Sequence, residues 1–254
     1  MSNIKIKKIQ NKLKEKNINT LIINRTDEFL NEYISEDSER LLWATDFSGS
    51  AGRAIVSQNA ATLFVDGRYT FQAKEQLDTS QISIEHLNDF SKKLSGNFIK
   101  NECIAIDPRL HSIEETLKYV DLSVKSETKL YFTEDNLIDE LWDNKPIRNY
   151  GLVFDHPKNF AGIESSKKLE HVIETLDKNN LGAYFLSSLD SIAWLLNLRG
   201  SDILNTPLAF AFLLISLDDK PVLYVKIDMV EPLLKARLVK YINIEPIEKI
   251  KEVF

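Results

Sequence analysis

EKNINTLIIN (residues 15–24) and DKNNLGAYFLSS (residues 177–188) read alike: a helix end, an Asn-containing stop, then a short apolar strand. Upstream of the first, Ile6, Ile9 and Leu13 fall on one helical face between lysines, which predicts a helix over 4–16. Upstream of the second, Leu169, Val172, Ile173 and Leu176 do the same, with the helix ended by Asn179-Asn180. Thr20–Asn24 and Ala183–Ser187 are the predicted strands. Trp43 then precedes a hairpin of Ala54–Ser57 and Thr62–Asp66 around Gln58-Asn59. Trp194 likewise precedes a hairpin of Ala209–Ile215 and Val222–Lys226 around Asp218-Asp219. Such a repeat predicts an internal duplication and two similar domains. Helix–strand–hairpin units are also common in unrelated folds, and that is the competing explanation.

Further along the first half, Tyr69–Leu77 reads as a helix, and Ile82–Glu85, Cys103–Asp107 and Leu130–Phe132 as strands. Ser112 with Glu115 three residues on forms a capping box that opens a helix to about Val120. Strands alternating with helices predict an α/β (α+β) layered fold. The expected boundaries are a first domain at 1–135, a linker at 136–160 containing Pro146 and Pro157, and a second domain at 161–254. In the first domain the strand near Ile84 is followed by helix, strand, helix and strand as far as Phe132. In the second, the matching strand at Ile242–Ile244 is followed only by PIEKIKEVF (246–254), read as a helix. The second domain is therefore expected to be truncated; the alternative is that it is simply smaller.

Composition narrows the class. Over 254 residues, 43% hydrophobic and 28% charged is ordinary for a folded globular chain and excludes disorder. Gly 8 and Pro 7 are about half the usual combined share, which excludes collagen-like and low-complexity chains. The net charge of -6 argues against nucleic acid, so the lysines between Lys5 and Lys16 are read as a solvated helix face. A single cysteine, Cys103, excludes a disulfide framework and a Cys-based zinc site. No apolar run approaches the ~18 residues needed to span a bilayer. The expectation is a cytoplasmic protein with neither membrane nor nucleic-acid partners.

The signatures of phosphate-binding loops, dinucleotide folds and nucleophile elbows are absent. None of the four histidines pairs with another at i, i+4. Only His111 has carboxylates at helical spacing, Glu114 and Glu115, and the capping box already accounts for Glu115. One segment stands out: LFVDGRY (63–69). Asp66 ends a strand and can cap the next helix, and Gly67 permits an unusual turn. Arg68 then falls in the first turn, where the helix dipole disfavours a cation. An arginine fixed at such a corner can meet a carboxylate or carbonyl; on local grounds alone, simple pairing with Asp66 or Glu75 is the preferred explanation.

The series TDEFLNEY (26–33), WATDFSGSAG (43–52), LFVDGRYTFQA (63–73), AIDPRL (105–110), NLIDELW (136–142), LDSIAWLLNLRGSDI (189–203) and NTPLAFAFLLI (205–215) resembles the N-terminal region of three-domain Xaa-Pro aminopeptidases. The resemblance implies two creatinase/prolidase-type N-terminal domains, each a mixed sheet flanked by helices in a ribonuclease-H-like arrangement. It implies that the chemistry belongs to a further C-terminal domain, where two divalent metals, usually manganese, activate the water that cuts before proline. No metal ligand can be carried over to this chain. Arg68 matches the arginine that contacts the peptide, and is the substrate-binding candidate. Arg199 of LRGSDI is read as structural, pairing near Asp202. The implied partners are a peptide with proline in second position and the C-terminal catalytic domain, with a second copy of the chain as a candidate. The family usually has glycine at Asp46, which suggests positive φ there. The alternative is a stand-alone, non-enzymatic binding or dimerisation module.

Overall fold

The computed structural model describes residues 2–253 and divides into two compact units, one up to Ile147 and one from Arg148 onward. The first runs α1 (Ser2–Glu15), β1 (Thr20–Asn24), α2 (Arg40–Thr45), β2 (Gly52–Ser57), β3 (Ala61–Val65), α3 (Thr70–Gln76), β4 (Ser83–His86), α4 (Phe90–Ser95), β5 (Cys103–Ile106), α5 (Ile113–Ser126), β6 (Lys129–Phe132) and α6 (Leu137–Leu141). Its sheet order is β4-β3-β2-β1-β5-β6. Only β2 runs against the others; β3–β4, β1–β5 and β5–β6 are parallel pairs.

The uninterrupted apolar run of β1 follows from its place between β2 and β5 with both faces covered. Leu21 and Ile23 enter a core with Ile6, Ile9 and Leu13 of α1, while Ile22 faces a second core with Phe90 and Tyr119. The lysines of α1 flank its buried stripe, and Lys5, Lys8 and Lys12 reach Asp46, Asp143 and Glu140; Lys16, just past the helix, also meets Glu140. The Ser112 hydroxyl accepts the Glu115 N–H, as the capping box requires, but α5 runs on to a left-handed Glu127. The stretch expected as a linker contains α6, capped by Asn136, with Leu137 and Ile138 buried in the first core.

The second unit runs β7 (Val153–Asp155), α7 (Lys158–Ala161), α8 (Ser165–Lys178), β8 (Ala183–Leu186), α9 (Leu189–Leu196), β9 (Leu198–Gly200), β10 (Ala211–Ser216), β11 (Val222–Val225), α10 (Pro232–Leu238) and β12 (Asn243–Pro246). Its main sheet is β12-β11-β10-β8, with β7 and β9 forming a separate antiparallel pair. The order and directions match β4-β3-β2-β1: a parallel step, then two antiparallel ones. Among the described residues no strand lies beyond β8. The final segment is a 3-10 helix, Ile247–Glu252, rather than the α-helix read from its spacing.

The duplication reaches individual side chains. Asn17 and Asn180 both end their helices with positive φ, 55° and 54°. The next residues, Ile18 and Leu181, donate to Leu13 and Leu176 carbonyls at 2.8 and 2.9 Å. Lys5 reaches Asp46 at 2.7 Å and lies 5.8 Å from the Trp43 ring; Lys168 reaches Asn197 at 2.7 Å and lies 4.2 Å from the Trp194 ring. Asp46 and Asn197 are left-handed, with φ 65° and 50°, as the glycine usual at position 46 had suggested. Asx side chains tolerate that region better than most.

Candidate functional site

Because β1, β3, β4, β5 and β6 point one way, their C-terminal ends share one edge of the first sheet, where ligands of open α/β sheets commonly sit. The start of β2 lies at the same edge. Four arginines come there: Arg25, Arg53, Arg68 and Arg109. Their side chains differ in how fully they are engaged.

Arg25 bonds Glu39 at 2.8 Å and the carbonyls of Glu32 and Ser50. Arg53 is spent on an internal network. Its Nε donates to Asn24 at 2.7 Å, its Nη2 to the Tyr119 hydroxyl at 2.9 Å, and its Nη1 lies 2.5 Å from Glu115. Glu115 also meets His111 Nδ1 at 2.9 Å and accepts from Tyr119 at 2.7 Å. Burial alone would push the Glu115 carboxyl up; the His111 hydrogen bond and the Arg53 charge outweigh it and hold the pKa down at about 2. Burial, first among its causes, pushes Tyr119 up. The spacing of Ser112 and Glu115 revealed the cap but not this network, since Arg53 and Asn24 come from distant strands.

Glu115→Gln should therefore cost about 1–3 kcal/mol at neutral pH, where a charged acceptor is lost. The folded pKa lies below the unfolded 4.5, so the carboxylate's contribution is present above about pH 5 and is lost as pH falls toward 2. Urea unfolding of the variant and the parent should converge at low pH; a pH-independent difference would contradict this role.

Arg68 and Arg109 sit in the same local device. In DGRY and DPRL an Asp at a strand end accepts, on one oxygen, the N–H and the Nε of the Arg two residues on. The distances are 2.9 and 2.9 Å for Asp66–Arg68, and 3.1 and 2.9 Å for Asp107–Arg109. A 3-10 turn follows each. Arg109 goes further, placing Nη2 on the second oxygen of a buried Asp107 at 2.8 Å. Arg68 does not: among the described residues its two Nη groups carry no hydrogen bond, and its side chain is 69% exposed. The Arg68 hydrogen bond holds Asp66 below the usual carboxylate range. The corner is fixed from behind, with the Tyr69 hydroxyl 2.7 Å from Ser50 Oγ and its ring edge-on to Phe47.

The local pairing expected for Arg68 is thus with Asp66, and it leaves the guanidinium fork open. Gly67 needs no special conformation: its φ is not left-handed, and an added Cβ would meet His86 Nε2 only at 3.6 Å. Arg199 is structural but does not pair with Asp202. It donates to the Ala193 and Leu198 carbonyls, while Asp202 accepts the N–H groups of Gly151 and Phe210. Each Asp202 oxygen holds a backbone N–H, while Arg199 is turned to backbone carbonyls instead.

Among the described residues no three His, Cys, Asp or Glu side chains come together as a metal site, so the residues here do not fit the metal pair implied by the resemblance. No described helix is long and apolar enough to cross a membrane.

Comparison with known proteins places both units. Residues 5–130 and 144–254 each match a family model described as the creatinase/prolidase N-terminal domain. A probable Xaa-Pro aminopeptidase P of Talaromyces marneffei is 31% identical over 243 residues, 94% of this chain and 37% of the relative. One from Neosartorya fischeri is 32% identical over 97% of this chain and 38% of its own length. The chain thus spans well under half of these relatives. Among solved structures, the X-prolyl aminopeptidase of Caenorhabditis elegans, described as a cytosolic enzyme with a di-nuclear active site, superposes with a TM-score of 0.93. It is 24% identical and covers 99% of this chain and 44% of that one.

Proposed function

From the premise that the chain belongs to the creatinase/prolidase N-terminal domain family, being built of two such domains, we propose that it serves an Xaa-Pro aminopeptidase as the part that holds the peptide without cutting it. The observation that carries the reading is the open Arg68 fork, fixed by Asp66 and braced by Tyr69, on the sheet edge where ligands gather. A guanidinium with both Nη groups unspent presents a planar pair of donors to a peptide carbonyl or carboxylate. Arg109, in the same turn, is closed on its own aspartate and cannot do this.

The substrate class is a peptide with proline in second position, taken from the relatives. Two divalent metals, manganese by family resemblance, would supply water activation and oxyanion stabilisation from a C-terminal catalytic domain. The residues of this chain bind and orient. The cytoplasm is the compartment that suits a single, buried Cys103.

Residues 1–254 alone, with an Xaa-Pro peptide and added manganese, are expected to give no turnover. Release of the first residue that survives repurification would overturn the division of labour.

A further inference from the structure

Buried hydroxyls of the first unit find partners on nearby carbonyls. Thr45 donates to the Leu41 carbonyl at 2.7 Å and Thr128 to the Ile99 carbonyl at 2.9 Å. Among the described residues, three buried side-chain polar atoms have no partner: Arg25 Nε, Arg40 Nη1 and Thr133 Oγ1. A buried polar group left unbonded costs more than a typical hydrogen bond gains, so folded proteins leave few of them. Arg40 and Thr133, two of the three, line one largely enclosed cavity.

The cavity lies where the ends of β1 and β6 meet the start of α6. Arg40 is 7% exposed and reaches Asp139 of α6 with Nε and Nη2, both at 2.8 Å, which turns Nη1 away from that carboxylate. Thr133, 5% exposed, is fixed by its main-chain N–H on the Ile106 carbonyl at 3.0 Å. The other polar side chains of the lining are already engaged. Asn24 bonds the Leu110 carbonyl and Arg53, Asn136 accepts the Ile138 N–H and donates to Asp107, and Asp107 also holds Arg109.

Size and charge select what completes the set. The cavity offers about 10 Å³, and a single water needs roughly 10–15 Å³. A halide is larger than water and would face the Asp107 carboxylate. Burial pushes that carboxyl up, but the hydrogen bonds from Arg109 and Asn136 outweigh it and hold it ionised, below the usual carboxylate range. The Arg40 charge is already balanced by Asp139. A neutral molecule that both accepts and donates suits the place.

We propose that this cavity is a binding site for one water molecule, which accepts a hydrogen bond from Arg40 Nη1 and shares a second with the Thr133 hydroxyl. Two partners meet the minimum for a buried water. The bridge ties α2 to the end of β6, at the same sheet edge as Arg109, and is independent of what that edge binds.

The direct probe is a crystal structure of the full chain grown with bromide as the only halide. Density for one water is expected within hydrogen-bond distance of Arg40 Nη1 and Thr133 Oγ1, with no anomalous bromide signal. In solution, Thr133→Val keeps the shape and strips the water of a partner. It should raise the unfolding equilibrium constant of the first unit roughly two- to tenfold, read from exchange of the β1 and β5 amides. A dry cavity reverses the sign, because the same change then removes an orphaned hydroxyl and the unfolding constant falls. Oxygen-17 relaxation dispersion should also count one long-lived water fewer in the variant. A bromide peak, a direct Arg40–Thr133 bond, a cavity without density, or a variant at least as stable as the parent overturns the proposal. If Thr133→Val does not fold, the density in the parent decides.

Discussion

In a complete enzyme carrying this region, Arg68→Ala is expected to lower kcat/KM for an Xaa-Pro peptide roughly ten- to a hundredfold while leaving the fold intact. A hydrogen bond from a charged donor is worth about 1.5–3 kcal/mol, and each 1.36 kcal/mol is a factor of ten. The fold should survive because Arg68 is exposed and its ion-pair partner, Asp66, is exposed enough to be solvated without it. Arg68→Lys should recover only part of the loss, since an ammonium lacks the planar fork. Arg109→Ala is the control. It occupies the same turn but is closed on Asp107, so its effect should fall on stability rather than on peptide cleavage. Wild-type kcat/KM in Arg68→Ala would return Arg68 to a merely local pair with Asp66.

The second large effect is on stability. Arg237, at the end of α10, uses its whole guanidinium inside the second unit. Nε donates to Asp155 of β7 at 2.8 Å, Nη1 to Ser165 of α8 and to the Tyr241 hydroxyl at 2.6 and 2.7 Å, and Nη2 to the carbonyls of Leu196 and Asn197, both at 3.0 Å. The last two are helix-end carbonyls of α9, which have no partner of their own within the helix. Arg237→Ala removes a donor from both and from Asp155, leaving the Asn197 carbonyl only the His156 N–H at 2.9 Å. A cost of about 3–5 kcal/mol is expected, the range for breaking a largely buried ionic network from one side. Arg237→Lys should lose nearly as much, because one ammonium cannot span five acceptors. Hydrogen exchange resolved along the chain should show α8, α9 and α10 opening more readily while α1, β1 and β5 are unchanged. Unaltered protection of α9 would contradict the assignment.

What the sequence made legible was the scaffold of the first unit and its repetition. TLIIN announces a buried strand through its unbroken Leu21-Ile22-Ile23 run, and Asn17 and Asn179-Asn180 announce helix stops. The positive φ of Asp46 followed from the family's glycine at that place. α9 and α10 were less legible: LDSIAWLL is apolar nearly all round, and PLLKARL is too short for periodicity to separate helix from strand. Their boundaries come from tertiary contacts, chiefly those of Arg237. α6 was hidden by the polar residues around it, although its NLIDELW motif was visible.

The candidate site divides the same way. That Arg68 is special came from DGRY; why it is available did not. DGRY and DPRL look equivalent as strings, and only the placement of Asp107, buried beneath Arg109 and bonded by Asn136 at 2.9 Å, shows one fork closed and the other open. The Arg199–Asp202 pairing failed for a related reason. Proximity in sequence suggested it, while in the fold Arg199 bonds the Ala193 and Leu198 carbonyls and Asp202 bonds the N–H groups of Gly151 and Phe210.

The central claim is that this region holds the peptide and a catalytic part outside residues 1–254 cuts it. The most direct measurement is Xaa-Pro cleavage by the carboxy-terminal remainder of a relative, with manganese, assayed alone and then titrated with residues 1–254. The account predicts little turnover from either part separately, a saturable rise in kcat/KM when they are combined, and a rise cut roughly ten- to a hundredfold by Arg68→Ala. Turnover by residues 1–254 alone, or a remainder whose kcat/KM is the same with and without them, would contradict it.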